Sequence, residues 1–196
     1  MSVIEKFYGR IDSRELSFCE AEVSARLKTG YGYTNELIEK CKRVLLENTD
    51  CRYCAVRVPI SCKGNLIDFG YFSTSSNSLE KLLEKCDECF IMAVTLGSKV
   101  DLLMKRLEAL SVSEHYITDA LASALAESAA DVAEKNIKKE LVCSMRFSAG
   151  YGDFRLEDQS AILELLDARK MLGITLSASY LMTPQKSITA VLGIKK

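Results

Sequence analysis

One short stretch of this 196-residue chain brings together side chains that can hold a small charged ligand: Arg146-Phe-Ser-Ala-Gly150-Tyr151-Gly-Asp153. A guanidinium pairs bidentately with a carboxylate, and an aromatic ring between two glycines can lie flat against a planar or cationic group without steric interference. A glycine-bracketed turn also exposes backbone amides. Together these features suit a ligand with an amino-acid head. The plain alternative is a tight turn with an incidental arginine, and R-x-x-x-G-Y alone does not decide between the two.

Other chemistry is poorly provided for. The chain has no G-x-G-x-x-G, P-loop, H-E-x-x-H or G-x-S-x-G motif, which removes the common dinucleotide, nucleoside-triphosphate, zinc-protease and serine-hydrolase readings. The single histidine, His115, falls in the first turn of a helix without an inferable partner and reads as a surface residue rather than a general base. Eight cysteines include two pairs, Cys51/Cys54 and Cys86/Cys89, that together could supply four thiolates to zinc. Thirty-one residues separate the pairs, neither lies in a glycine-rich knuckle, and Cys89 opens an apolar run. Thiols without a metal are the expectation, with a zinc or redox site as a minor alternative.

The elements that must position Arg146 follow from periodicity. Ser13–Leu27 reads as an amphipathic helix stopping at Gly30, and Thr34 or Asn35 caps a second helix burying Leu37, Ile38, Cys41 and Val44–Leu46. Arg52–Pro59 and Leu66–Phe72 look like a strand pair across Lys63–Gly64–Asn65, followed by a serine-rich loop, Ser73–Ser78. Asn77 with Glu80 starts a helix over Leu79–Cys86, and Phe90–Thr95 reads as a buried strand. Gly97 opens a helix to about Leu107. Ser111-Val-Ser-Glu114 is a capping box for a long alanine-rich helix from Val112 to about Glu140. On it Asp119, Ser123, Glu127 and Asp131 recur every four residues and share one face, read by default as solvated. A strand at Met145–Ser148, a helix from Leu156 to Ala168, and strands around Ile174–Leu176 and Ser187–Gly193 complete the pattern.

This alternation predicts an α+β fold: a mixed or antiparallel sheet flanked by helices, with the long alanine-rich helix at its centre. Residues 1–50 are expected to form an N-terminal helical segment and 51–196 the α+β core, together one compact unit. The 26 basic and 27 acidic residues give a net charge of −1 with no long run of either sign, so non-specific nucleic-acid binding is not expected. Cys89–Gly97, the longest nearly apolar stretch, is about half the roughly 20 residues a membrane helix needs. The N-terminus lacks the pattern of a secretory signal, and the expected location is the cytoplasm.

Arg146-FSAGY-Gly152, the helix at 156–168 and Gly173-ITLSASYLMTPQKS-Ile188 resemble, in order and spacing, the S-adenosylmethionine-binding activation domain of cobalamin-dependent methionine synthase. The resemblance spans roughly 146–194 and continues more loosely over the alanine-rich helix at 119–140. It implies that Arg146 takes the methionyl carboxylate, that Gly150 and Tyr151 lie at the ligand, and that Glu140, six residues before the arginine, is an acid near the amino or sulfonium group. Ser123 stands where the family places a helix acid, with Glu127 one turn later as its substitute. Leu181 falls where the family offers backbone contacts. The prolines the family often carries before the glycine and after the tyrosine are Ala149 and Gly152 here, which loosens the turn.

As a whole the resemblance implies a stand-alone accessory protein for reductive methylation. Cobalamin carried by a methionine synthase module, inactivated as cob(II)alamin, would take an electron from flavodoxin, and the cob(I)alamin so formed would accept the methyl of bound S-adenosylmethionine. The competing reading is a non-catalytic interaction or small-ligand sensing protein that keeps the fold with a drifted pocket.

Overall fold

β-Branched, aromatic and sulfur-bearing residues concentrate in Cys86–Thr95, and the sheet is built around that stretch. The computed structural model describes residues 5–27 and 33–195. In chain order its elements are strand β1 (Glu5–Arg10), helices α1 (Glu20–Leu27) and α2 (Asn35–Glu47), and strand β2 (Arg52–Pro59). Three short strands follow, β3 (Ser61–Lys63), β4 (Leu66–Asp68) and β5 (Ser73–Ser75), then helix α3 (Asn77–Leu83) and strand β6 (Cys86–Thr95). Helices α4 (Ser98–Leu110), α5 (Val112–Lys138), α6 (Gln159–Leu165) and α7 (Ala168–Leu172) precede the two-residue strands β7 (Thr175–Leu176) and β8 (Met182–Thr183) and the final strand β9 (Ser187–Lys195).

The main sheet has the order β1-β2-β6-β9 and is antiparallel throughout. Strand β6 is continuously buried from Cys89 to Thr95 because both of its faces are covered. Its even-numbered residues Phe90, Met92 and Val94 join α1, α2, α4 and α5 in one core. Cys89, Ile91 and Ala93 face the opposite way, onto a second core with Phe69, Leu79, Leu83, Phe154, Ile162 and Leu166. The expected α+β class with an antiparallel sheet is what the chain adopts.

Helix α5 is capped by Ser111, whose hydroxyl accepts from Glu114 N at 3.3 Å. Ala122, Ala126, Ala129, Ala130 and Ala133 are buried along it. These methyl groups let α5 approach its neighbours closely, while Ile117, Leu121, Leu125 and Ile137 fill the same buried side.

Several expectations are corrected. The first 50 residues are not purely helical: β1 pairs with β2 along its whole length, and the predicted helix Ser13–Leu27 is a single 3-10 turn at Ser13–Glu15 followed by α1. Its predicted stop at Gly30 lies outside the described residues. Arg52–Pro59 is a strand as read, but its partners are β1 and β6, since only they cover its apolar length. The Gly64 turn instead joins β3 to β4 in a separate three-stranded sheet, whose third strand, β5, occupies part of the stretch expected as a loop. The predicted strand Met145–Ser148 is an irregular ribbon beside β9, with bridges at Cys143 and Phe147. There the Ser144 hydroxyl, in place of a carbonyl, accepts from Gly193 N at 2.9 Å. The predicted helix 156–168 divides into a 3-10 turn, α6 and α7, because Asp167 takes a left-handed conformation at φ 49°.

Candidate ligand cleft

The ribbon that follows α5 runs antiparallel to β9, so alternate side chains point to opposite sides. Phe147 turns inward toward Phe154, with ring centroids 6.3 Å apart. Arg146 turns toward α5. Its Nη1 donates to Asp131 Oδ1 at 2.7 Å and to Glu134 Oε2 at 2.9 Å, and its Nη2 to Glu127 Oε2 at 3.3 Å. Burial opposes its charge, but the hydrogen bond and charge of Asp131, with the charges of Glu134 and Glu127, outweigh burial and hold the guanidinium above its ordinary pKa. Glu134 is shared: Lys138 Nζ donates to its other oxygen at 2.9 Å.

These groups line an open cleft of about 460 Å³, walled on one side by Glu127, Asp131 and Glu134 and on the other by Met145, Arg146, Phe147, Ser148, Tyr151 and Ile188. Its volume falls within the range for small-molecule sites. Among the described residues three of the five Arg146 donors are engaged. Three carboxylates face one guanidinium. That arrangement can accept a ligand carboxylate at the arginine and a ligand cation at the acids.

The turn beyond Arg146 is closed by backbone hydrogen bonds: Gly150 N to Phe154 O at 2.8 Å, Tyr151 N to Ser148 O at 3.2 Å and Phe154 N to Tyr151 O at 3.0 Å. Gly150 and Gly152 have φ of 91° and 56°, which non-glycine residues rarely adopt. Between them Tyr151 projects with 67% of its surface exposed.

Of the residues singled out from sequence, Arg146, Glu127 and Tyr151 are brought together in this cleft, and Gly150 shapes its turn. Glu140 is not brought there. Helix α5 ends at Lys138, Lys139 reverses the chain at φ 48°, and Glu140 lines a separate cleft with Glu5, Phe7 and Arg57. Leu181 is exposed in the β7–β8 turn, outside the Arg146 cleft, and its N–H and carbonyl are both bonded within that turn to Ser177.

Sequence reasoning missed the roles of Asp131, Glu134 and Lys186. Asp131 belonged to the recognised four-residue stripe, and Glu134, three residues later, continues it. Lys186 had no such signal. Its Nζ donates to Asp119 Oδ1 at 2.7 Å and Ser123 Oγ at 2.9 Å. The stripe read as solvated is therefore held by two cations, Lys186 at one end and Arg146 at the other.

The cysteine pairs do not converge. Cys51 and Cys54, three residues apart, fall in opposite cores, and burial pushes both thiols up to about 12. Among the described residues no group of three or more His, Cys, Asp or Glu side chains is arranged to hold a metal ion. No helix of the described residues is long and apolar enough to cross a membrane.

Fold and cleft together define an α+β domain with an antiparallel sheet, an alanine-rich helix along it, and an arginine–carboxylate site between that helix and the edge ribbon. The fold is that of the MetH reactivation domain. The crystal structure of that domain bound to AdoHcy superposes with a TM-score of 0.71 over 97% of this chain and 78% of that one, at 17% sequence identity. No family model matches the chain, and no curated protein sequence matches it.

Proposed function

We propose that the chain binds S-adenosylmethionine in the Arg146 cleft and serves, in the cytoplasm, as an accessory protein for reductive methylation of cobalamin carried by a methionine synthase module or related corrinoid protein. The observation that carries this reading is the Arg146 cluster in a reactivation-domain fold: a guanidinium with donors to spare, flanked by Glu127, Asp131 and Glu134 and faced by an exposed tyrosine. When bound, S-adenosylmethionine supplies an activated methyl group on a sulfonium. Arg146 takes the methionyl carboxylate, the α5 acids accept from the ammonium and favour the sulfonium charge, and the Tyr151 ring lies against the ligand. Glu140 and Leu181 have no part in this arrangement.

The protein's contribution is to hold the methyl group in a fixed orientation; no protein nucleophile is involved. Orientation alone can contribute roughly 7–11 kcal/mol relative to a bimolecular encounter. The acids favour binding more than transfer, because the positive charge fades as the methyl leaves.

One observation favours a second reading, a sensing or interaction protein: Arg146 is already clasped by three carboxylates. Calorimetric titration decides between them. Saturable binding of S-adenosylmethionine at micromolar to millimolar concentration, together with faster return of a cobalamin-loaded partner module to the methylated form under flavodoxin reduction, is the expected result. No binding at millimolar ligand would leave the second reading in place.

A further inference from the structure

The turn that carries Tyr151 is held from outside the cleft. Asp153 is exposed, yet its carboxylate accepts four hydrogen bonds from the start of α3. Oδ1 accepts from Ser76 Oγ at 2.6 Å and Ser78 N at 3.0 Å, and Oδ2 from Asn77 N at 2.7 Å and Asn77 Nδ2 at 3.0 Å. Helix α3 has its own cap in Ser76, whose hydroxyl accepts from Leu79 N at 3.1 Å, so Asp153 is a second cap delivered from a remote part of the chain. Beside it, Gly152 meets α3 closely: a Cβ there would fall 2.8 Å from Ser78 Oγ. On the inner side, the buried Phe154 anchors the end of the turn.

We propose that Asp153 is a positioning residue for the cleft: by docking the Gly150–Gly152 turn onto the N-terminus of α3 it fixes where Tyr151 stands. The inference rests on the S-adenosylmethionine reading of the cleft. Tyr151 is too exposed for packing to fix it, and it sits between two glycines, the residues that restrict the backbone least. Its order must come from what grips the turn: the backbone hydrogen bonds close it, Phe154 anchors it on the inner side, and Asp153 docks it from outside onto α3. This docking does the work that prolines on either side of such a turn would do. A proline at 152 is no substitute, because its φ near −65° is incompatible with the observed 56°.

The test uses the full chain, with two readouts on Asp153→Asn in the natural and the Tyr151→Ala backgrounds. Asparagine turns an amide N–H₂ toward donors that need an acceptor, while keeping size and solubility. Amide hydrogen exchange across residues 148–154, measured without ligand, should speed up. Affinity for S-adenosylmethionine should fall about tenfold in the natural background, as expected of a displaced contact, and much less where Tyr151 is already gone. Gly152→Pro should also weaken binding. Unchanged exchange, or equal loss of affinity in both backgrounds, overturns the proposal. If the natural protein binds no S-adenosylmethionine, the functional reading fails by itself, and the exchange measurement still decides whether Asp153 holds the turn.

Discussion

Arg146 Nη1 stands 2.7 Å from Asp131 Oδ1, tying the edge ribbon back onto the helix the chain has just left. The tie places Arg146 under α5 rather than in solvent, with its side chain 19% exposed. On the proposed reading, fold and ligand binding are thus coupled through this residue.

Arg146→Ala should abolish measurable binding of S-adenosylmethionine, and Arg146→Lys should restore only part, because a lysine cannot reproduce the guanidinium fork. Losing one side of a partly buried carboxylate pair costs about 2–5 kcal/mol of binding. Titration calorimetry checks this. Equal affinity without Arg146 would refute the pocket assignment.

Glu134 and Asp131 should differ in what they give to stability. Glu134 and Asp131 side chains are 17% and 70% exposed. Glu134→Gln, which weakens bonds to both Arg146 and Lys138, should destabilise by about 1–3 kcal/mol, whereas Asp131→Asn should cost under about 1 kcal/mol. Urea unfolding curves give both values, and the reverse order would show that the cluster is not organised as described.

Acid should loosen the Tyr151 turn. Hydrogen bonds from Ser76, Ser78 and Asn77 hold the Asp153 carboxyl well below the usual carboxylate range. A group with a depressed folded-state pKa contributes stability above its unfolded value, here 3.8, and loses it as pH falls further toward the folded value. Thermal unfolding followed downward from about pH 5 should therefore decline more gently in Asp153→Asn than in the natural protein. Asp12, lowered by its hydrogen bond and charge contact with Arg14, acts in the same direction and remains in the variant. Parallel pH profiles would contradict the assignment.

Alkylation of the native protein should label Cys19 and Cys62 first, the two exposed cysteines, with Cys143 slower. Cys51, Cys54 and Cys89 should react only on unfolding, since burial raises each thiol's pKa and withholds the reactive thiolate. Mass spectrometry after timed quenching reads the order. Early labelling of Cys54 would mean that its core opens more readily than its packing indicates.

The sequence determined whatever is local. Ser111 and Glu114 set the start of α5, the four-residue recurrence put Asp119, Ser123, Glu127 and Asp131 on one stripe, and Gly150 with Gly152 marked a turn with left-handed backbone. These follow from sterics and hydrogen bonds within a few residues. Tertiary structure decided the partners. Strand β2 pairs with β1 and β6 instead of the nearby Leu66–Asp68, because only those strands bury its apolar faces. Arg146 and Lys186 meet the α5 stripe because the chain reverses at Lys139 and returns along β9, which also carries Glu140 away from the cleft. Asp153 reads as an ordinary turn aspartate until α3, some 75 residues earlier, is placed beside it. A side chain's periodicity is written in its neighbours, but its counter-charge depends on which distant segments burial brings together.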